Sequence, residues 1–172
     1  MVRLASSLGV MLVLGACGTG LNQAPAVDAG ERVPVRVIYR GSRCPTSQPG
    51  IRVIRDASSW AEWQRLRRQL IFLVSDEPDE EAAALDFGQV TVIVISMGQK
   101  PTPGYAVEVP EGSAALQGGS LNIVSVWQQP AEGAILPQVV TSPCVAITIP
   151  RARFNAVKIE NQHGDIVIDQ RI

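Results

Sequence analysis

Few side chains in this sequence have the chemistry for making or breaking bonds. His163 is the one histidine, set in the run NQHG beside Gly164 and Asp165. A nucleophilic triad needs its histidine buried between a carboxylate and an activated serine, whereas turn chemistry of this kind leaves an imidazole in solvent. No GxSxG elbow precedes a helix. A zinc site takes three or four ligands, and one histidine with the two distant cysteines Cys44 and Cys144 does not supply them. The run Asp76-Glu77-Pro78-Asp79-Glu80-Glu81 gathers carboxylates that could hold calcium weakly. It lacks the spaced ligands and the glycine of an EF-hand loop, and reads first as an exposed loop. Gly18 and Gly20 lie ahead of the folded body and cradle no phosphate. Scattered carboxylates are the one catalytic arrangement that leaves no pattern in a sequence. The expectation is a protein that is not an enzyme, with no catalytic residue, no metal and no cofactor. Fifteen basic residues stand against sixteen acidic ones, so no basic excess points to nucleic acid. Arg52, Arg55, Arg65, Arg67 and Arg68 do cluster ahead of the acidic run, which reads as a solvated helix face followed by a loop.

The remaining thiol, Cys17, has a different setting. One cation, Arg3, precedes an uncharged apolar stretch from Leu4 to Leu14, and small residues follow up to Cys17. That is the layout of a secretory leader, too short to cross a bilayer, which takes about 20 apolar residues. Leu14-Gly15-Ala16-Cys17 looks like a bacterial lipobox. The resemblance implies cleavage after residue 16 and a Cys17 carrying several fatty-acyl chains. Each buried methylene contributes about 0.8 kcal/mol, so the anchor is durable. The plainer alternative is an ordinary leader and a spare thiol. Gly18 rather than an aspartate after the cysteine favours the outer membrane over the inner by the usual sorting pattern of lipoproteins. Residues 18–32 are small, polar and rich in Pro and Gly, which makes a tether. The expected organisation is a lipoprotein signal over 1–16, the lipidated cysteine and tether over 17–32, and a single β-rich domain over 33–172. The last is one domain's length and sufficient for a real core.

In the oxidising envelope, Cys44 and Cys144 are candidates for a disulfide. A bridge there closes a loop of about 100 residues, worth roughly 4–5 kcal/mol in the chain-entropy model. Two buried thiols that never meet are the alternative.

The elements that must position these residues are mostly strands. VPVRVIYR (33–40) alternates, with Val33, Val35, Val37 and Tyr39 on one face. Residues 41–50 are loop chemistry, and IRVIRD (51–56) is a short strand. DASSWAEWQRLRRQLIF is the one convincing helix, with Ser59 and Glu62 spaced as a capping box. Trp60, Trp63, Leu66 and Leu70 recur at helical spacing, so both tryptophans dock on a sheet and the helix ends near 70–73. A single helical turn is expected at 80–85. Residues 89–97 are apolar on both pleat faces, the mark of a central strand covered on both sides. Tyr105, Val107 and Val109 point inward. Residues 113–117 and 121–127 pair across Gly118-Gly119, a strong hairpin turn. Residues 139–149 form a strand with Val145, Ile147 and Ile149 on one face, and 156–160 pairs with 165–170 across NQHG. The fold class is mainly β (α+β): an antiparallel sandwich or partly open barrel with one short amphipathic helix near its start.

Between the central strand and Tyr105 lies GQKPTPGY. Thr102-Pro103-Gly104-Tyr105 fits a type II turn, with proline fixing φ and glycine supplying a positive φ. FGQVTVIVISMGQKPTPGYAVEV followed by VVTSPCVAITIPRARFNAVKI resembles the C-terminal domain of the PrcB family. The positions that carry it are Gly98, Pro101, Thr102, Gly104, Tyr105, Thr141, Ser142 and Pro143, and the upstream DASSWAEWQRL is similar to the family's short helix with its tryptophan. The likeness spans about 51–159. Pro103 stands where the family has glycine, and Cys144 where it has an aromatic. The family is named for a lipoprotein subunit of a cell-surface protease complex. The resemblance therefore implies an accessory, non-catalytic role in the bacterial envelope: membrane-held through the lipid, and binding or stabilising another envelope protein. Pro101, Thr102, Pro103, Gly104 and Tyr105 form the candidate partner-binding loop. KPTPGY also has a superficial likeness to the Asn-Pro-Thr-Thr-Gly-Tyr loop of chagasin-like protease inhibitors. Those need two further loops beside it, for which Gln117-Gly118-Gly119 and Arg151-Ala152-Arg153-Phe154 are poor matches.

The lipobox reading has a direct consequence. Intact-mass measurement of membrane-extracted protein is expected to show acyl mass on Cys17, and Cys17→Ser is expected to move the protein out of the membrane fraction.

Overall fold

Eleven strands and a helix follow one another through the residues that the computed structural model describes, 30–70 and 85–172. The strands are β1 (Glu31–Val33), β2 (Arg36–Gly41), β3 (Pro49–Ile54), β4 (Val90–Met97), β5 (Ala106–Glu108), β6 (Ala114–Gln117), β7 (Ser120–Val124), β8 (Val126–Gln128), β9 (Cys144–Pro150), β10 (Ala156–Glu160) and β11 (Ile166–Arg171). The helix α1 (Ala57–Gln69) lies between β3 and β4.

The doubly apolar β4 sits inside a four-stranded antiparallel sheet of order β2-β9-β4-β3. Its Ile93, Ile95 and Met97 face one core and its Val92 and Val94 the other, as the sequence pattern requires. The first core lies between this sheet and a second of order β1-β6-β7-β10-β11, which contributes Val33, Leu121, Ile123, Val157 and Ile159. A two-stranded ribbon, β5 with β8, adds Val107. The molecule is a sandwich without barrel closure. It is mainly antiparallel, and the exception is β7 with β10, which run parallel. The β6–β7 turn is Gly118-Gly119 with φ of 56° and 80°, the doubly positive pattern of a type I′ hairpin.

The second core is the outer face of the four-stranded sheet under α1. Trp60 and Trp63 dock there on Ile38, Ile54, Val92, Val94 and Ala146. Their rings stack, with centroids 4.9 Å apart at 10°, and Tyr39 meets Trp63 edge-on at 5.5 Å.

Several sequence expectations are corrected in detail. Residues 33–40 are not one strand. Pro34 has no N–H to extend a ladder, and the chain passes there from the five-stranded to the four-stranded sheet. Tyr39 does not share a face with Val33, Val35 and Val37: a register shift between Val37 and Tyr39 sends Ile38 and Tyr39 together to the helix-side core. The buried stripe of α1 is Trp60, Trp63 and Arg67, while Leu70 is 48% exposed. The Arg67 guanidinium lies 4.2 Å from the Tyr39 ring centroid and 5.8 Å from that of Trp63. A cation over aromatic faces, with its aliphatic stem packed, takes the place a leucine would fill. The expected strand over 121–127 divides at the buried Ser125, whose N–H and hydroxyl both donate to the Glu160 carbonyl. The strand expected from 139 begins at Cys144. The expected leader over 1–16, the expected lipidation of Cys17, the tether expected to residue 32 as far as residue 29, the acidic run 76–81 and the helical turn expected at 80–85, except Leu85, lie outside the described residues. No helix among the described residues is long and apolar enough to cross a membrane.

The helix cap also differs. Asp56, not Ser59, is the N-cap. Its Oδ1 accepts from the Ser59 N–H at 2.8 Å and from the Ser58 hydroxyl at 2.5 Å, and its Oδ2 accepts from the Ser59 hydroxyl at 2.9 Å. A carboxylate can take the orphan N–H at a helix start and still accept from both serine hydroxyls, which a capping hydroxyl has too few lone pairs to do. The Ser58 hydroxyl first, then the Ser59 donors, hold the Asp56 carboxyl down to about 2 from 3.8. With the folded value below the unfolded one, the unfolded chain takes up the proton first, so stability falls as the medium is acidified. The cap's contribution is expected in full above pH 3.8 and to disappear as pH falls through about 2. Urea denaturation across that range should show the gap between parent and Asp56→Ala narrowing toward the acid end.

Candidate functional site

Three irregular segments meet beyond the Met97 end of β4: the loop 42–48, the turn region 98–105 and the stretch 139–143. Irregular backbone must place its polar groups somewhere, and here it places them on one another. Ser142 N–H donates to the Ser42 carbonyl at 2.6 Å, and Cys44 N–H returns a bond to the Ser142 carbonyl at 2.9 Å. Met97 N–H donates to the Pro143 carbonyl at 2.9 Å, Gln99 N–H to the Ser47 carbonyl at 3.0 Å, and Lys100 and Thr141 exchange bonds at 2.8 and 2.9 Å. The Ser142 hydroxyl donates to the Thr46 carbonyl at 2.9 Å and the Thr141 hydroxyl to the Thr102 carbonyl at 3.0 Å. The Cys44–Cys144 disulfide joins the same segments with Cα atoms 6.0 Å apart, inside the range that a bridge spans. Both cysteines are buried.

Two glycines hold the turn region by shape. Gly98 has φ +70°, and a Cβ there would stand 2.7 Å from the Pro49 nitrogen. Gly104 has φ +94°, as a type II turn requires, and its position allows Pro130 Cγ to come within 3.0 Å of where a Cβ would be. Tyr105 is half-buried against the inter-sheet core, and the Lys100 ammonium lies 5.4 Å from its ring centroid.

These segments frame a groove of about 490 Å³ whose lining includes Arg43, Thr46, Leu70, Gln99, Val140 and Thr141. Val139 and Val140 are 47% and 65% exposed at its edge, and Ile135 is fully exposed in the loop that leads to them. Contiguous exposed apolar side chains rimmed by polar ones are characteristic of a protein-docking surface. The candidate loop Pro101–Tyr105 does not line this groove. It buttresses it, through the Thr102–Thr141 bond and the Lys100–Thr141 ladder. Sequence reading missed Val139 and Val140 as surface groups because VVTSPCVAITI reads as one continuous apolar strand. The Pro137 and Pro143 that flank the pair were the available signal.

The other singled-out residues lie elsewhere. His163 is exposed in the β10–β11 turn, where its N–H donates to Asn161 Oδ1 at 2.8 Å. Of the three loops that a chagasin-like inhibitor would gather, Pro101–Tyr105 stands at the opposite end from the other two. Arg151 to Phe154 follow Pro150, which pairs with Val90 at the far end of β4 from Met97, and Gly119 accepts from Asn155 beside them.

The bridge joins residues 100 apart, which in the chain-entropy model contributes about 4–5 kcal/mol. Reduction, or paired Cys44→Ser and Cys144→Ser, is expected to lower the stability of the oxidised protein by about that amount in chemical denaturation.

No curated protein and no solved structure matches the chain. Residues 91–150 match the family model described as PrcB C-terminal. The matched stretch is narrower than the likeness over 51–159, and leaves β3 and α1 outside it. It holds both central strands, β4 and β9, together with the Gly98–Tyr105 and Thr141–Pro143 motifs that build the groove's frame. From Thr91 to Pro150 this chain is similar to the PrcB C-terminal family.

Proposed function

We propose that the protein is a lipid-anchored, non-catalytic accessory subunit in the bacterial envelope, outer membrane rather than inner. In this reading it binds or stabilises another envelope protein, with a protease complex as the assembly that the family resemblance points to. The observation that carries this reading is the groove at the disulfide end. It combines exposed Val139 and Val140 with a frame already fixed by the bridge and by backbone bonds between three loops. A surface ordered before association loses less entropy on docking. The cysteine pair also fits an oxidising compartment.

A photo-crosslinking side chain at Val140 tests the reading in intact cells. One reproducible envelope protein is expected to be captured there and not from Glu111, on an exposed turn that does not line the groove, with capture lost when Val139→Asp is added. Recovery of the protein alone, or equal capture from both positions, refutes the groove as the docking surface.

A further inference from the structure

At the opposite end of the sandwich from the groove, β9 leaves its sheet at Pro150 and crosses to β10 through residues 151–155. This link carries Arg151 and Arg153, and Arg55, at the β3–α1 junction, reaches across it. The Arg55 guanidinium lies 5.1 Å from the Phe154 ring centroid. Arg151 N–H donates to the Gln89 carbonyl at 2.7 Å, and its guanidinium donates to the Phe87 carbonyl. Together Arg55, Arg151, Ala152, Arg153 and Phe154 line a concavity of about 580 Å³. The three arginines are exposed. Lys158 pairs with Asp169 at 3.7 Å, away from the three arginines. The neighbouring carboxylates are engaged locally, Asp56 as the helix cap and Asp86 on the Gly88 N–H at 2.8 Å. Three exposed guanidinium groups gathered with no carboxylate partner among the described residues repel one another, and a bound anion relieves that repulsion.

The described chain begins at the same end, at Gly30, against Leu116 and Gln117. Register then runs across the sheet from Glu31 to Leu116, from Gln117 to Ser120, from Ser120 to Ala156 and from Ala156 to Arg171. The Gly119 carbonyl in this row accepts from the Asn155 N–H at 3.0 Å. The described chain therefore begins on the row of residues that ends beside the arginine link, and β11 adds another cation, Arg171, to that row. From Cys17 to residue 29 the chain can reach no more than about 45 Å.

We propose that this arginine end is a seat for the anionic phosphate headgroups of the bilayer to which the chain is tethered. It rests on the lipid-anchor reading for its geometry. Guanidinium groups match phosphate oxygens in a forked geometry, and Phe154 supplies an apolar floor. Seated in this way, the body turns the Val139–Val140 groove away from the membrane.

The test uses the chain from residue 17 with Cys17→Ser, so that no acyl group contributes, and co-sedimentation with phosphatidylcholine vesicles with or without phosphatidylglycerol. Binding is expected with phosphatidylglycerol at low salt. It should be absent without that lipid, and lost near 1 M salt, where the Debye length is about 3 Å. Each arginine near an anionic surface contributes about fivefold in partition, so combined Arg55→Gln, Arg151→Gln and Arg153→Gln should lower it about a hundredfold. Arg153→Gln alone spares the Phe154 stack and the Phe87 bond, and should lower it about fivefold. Lys100→Gln, at the groove end, should leave it unchanged. No binding to anionic vesicles at low salt, equal binding to neutral ones, or an unaffected triple variant overturns the proposal. An unmodified Cys17 in the native protein would remove the anchor without altering this assay's result.

Discussion

Burial of β4 on both faces is the constraint from which the rest of the structure follows. A strand with Val92 and Val94 on one pleat face and Ile93, Ile95 and Met97 on the other needs two separate covers. Exposing either face would forfeit about 25 cal/mol for each Å² of apolar surface. The five-stranded sheet provides one cover. The other comes from a single short helix, which is why that helix carries two stacked tryptophans. Few other side chains cover so much sheet from so few turns. The shift at Val37–Tyr39 serves the same end, turning Tyr39 into the helix-side core where its ring receives Arg67.

A second economy appears where β4, β3 and β9 stop. The loops beyond them have no sheet to satisfy their backbone groups, and they satisfy one another instead, with the disulfide clamping two of the three. The motif Gly98–Tyr105 belongs to this arrangement. Its glycines permit close approach to Pro49 and Pro130, and its carbonyls receive Thr141. The turn that reads as a candidate binding loop in one dimension also serves, in three, as a brace behind the surface that its neighbours expose.

Period-two alternation and strong turn residues made most of the sheet legible in the sequence. The doubly apolar 89–97 stretch, the Gly118-Gly119 hairpin and the docking of Trp60 and Trp63 follow from local pattern. What escaped depended on tertiary partners. Arg67 is buried because two aromatic rings from different elements face it, and no spacing rule carries that information. Asp56 displaced Ser59 as the cap because the two serines after it both turn their donors back to its carboxylate. The break at Pro34 was visible as a proline, but not as a passage between sheets. The groove and the arginine end are both composed of residues far apart in sequence, and only the strand order brings them together.

The parallel pairing of β10 with β7 has a consequence for how the chain can be made. Val157 and Ile159, fully buried between the sheets, arrive near the carboxyl terminus, while Val33 supplies the same core from the amino-terminal edge. No partial length of nascent polypeptide can complete that interior, so cooperative collapse waits for the final strands. Such non-local pairing slows folding, because the cost of closing the long loops comes before the contacts that repay it.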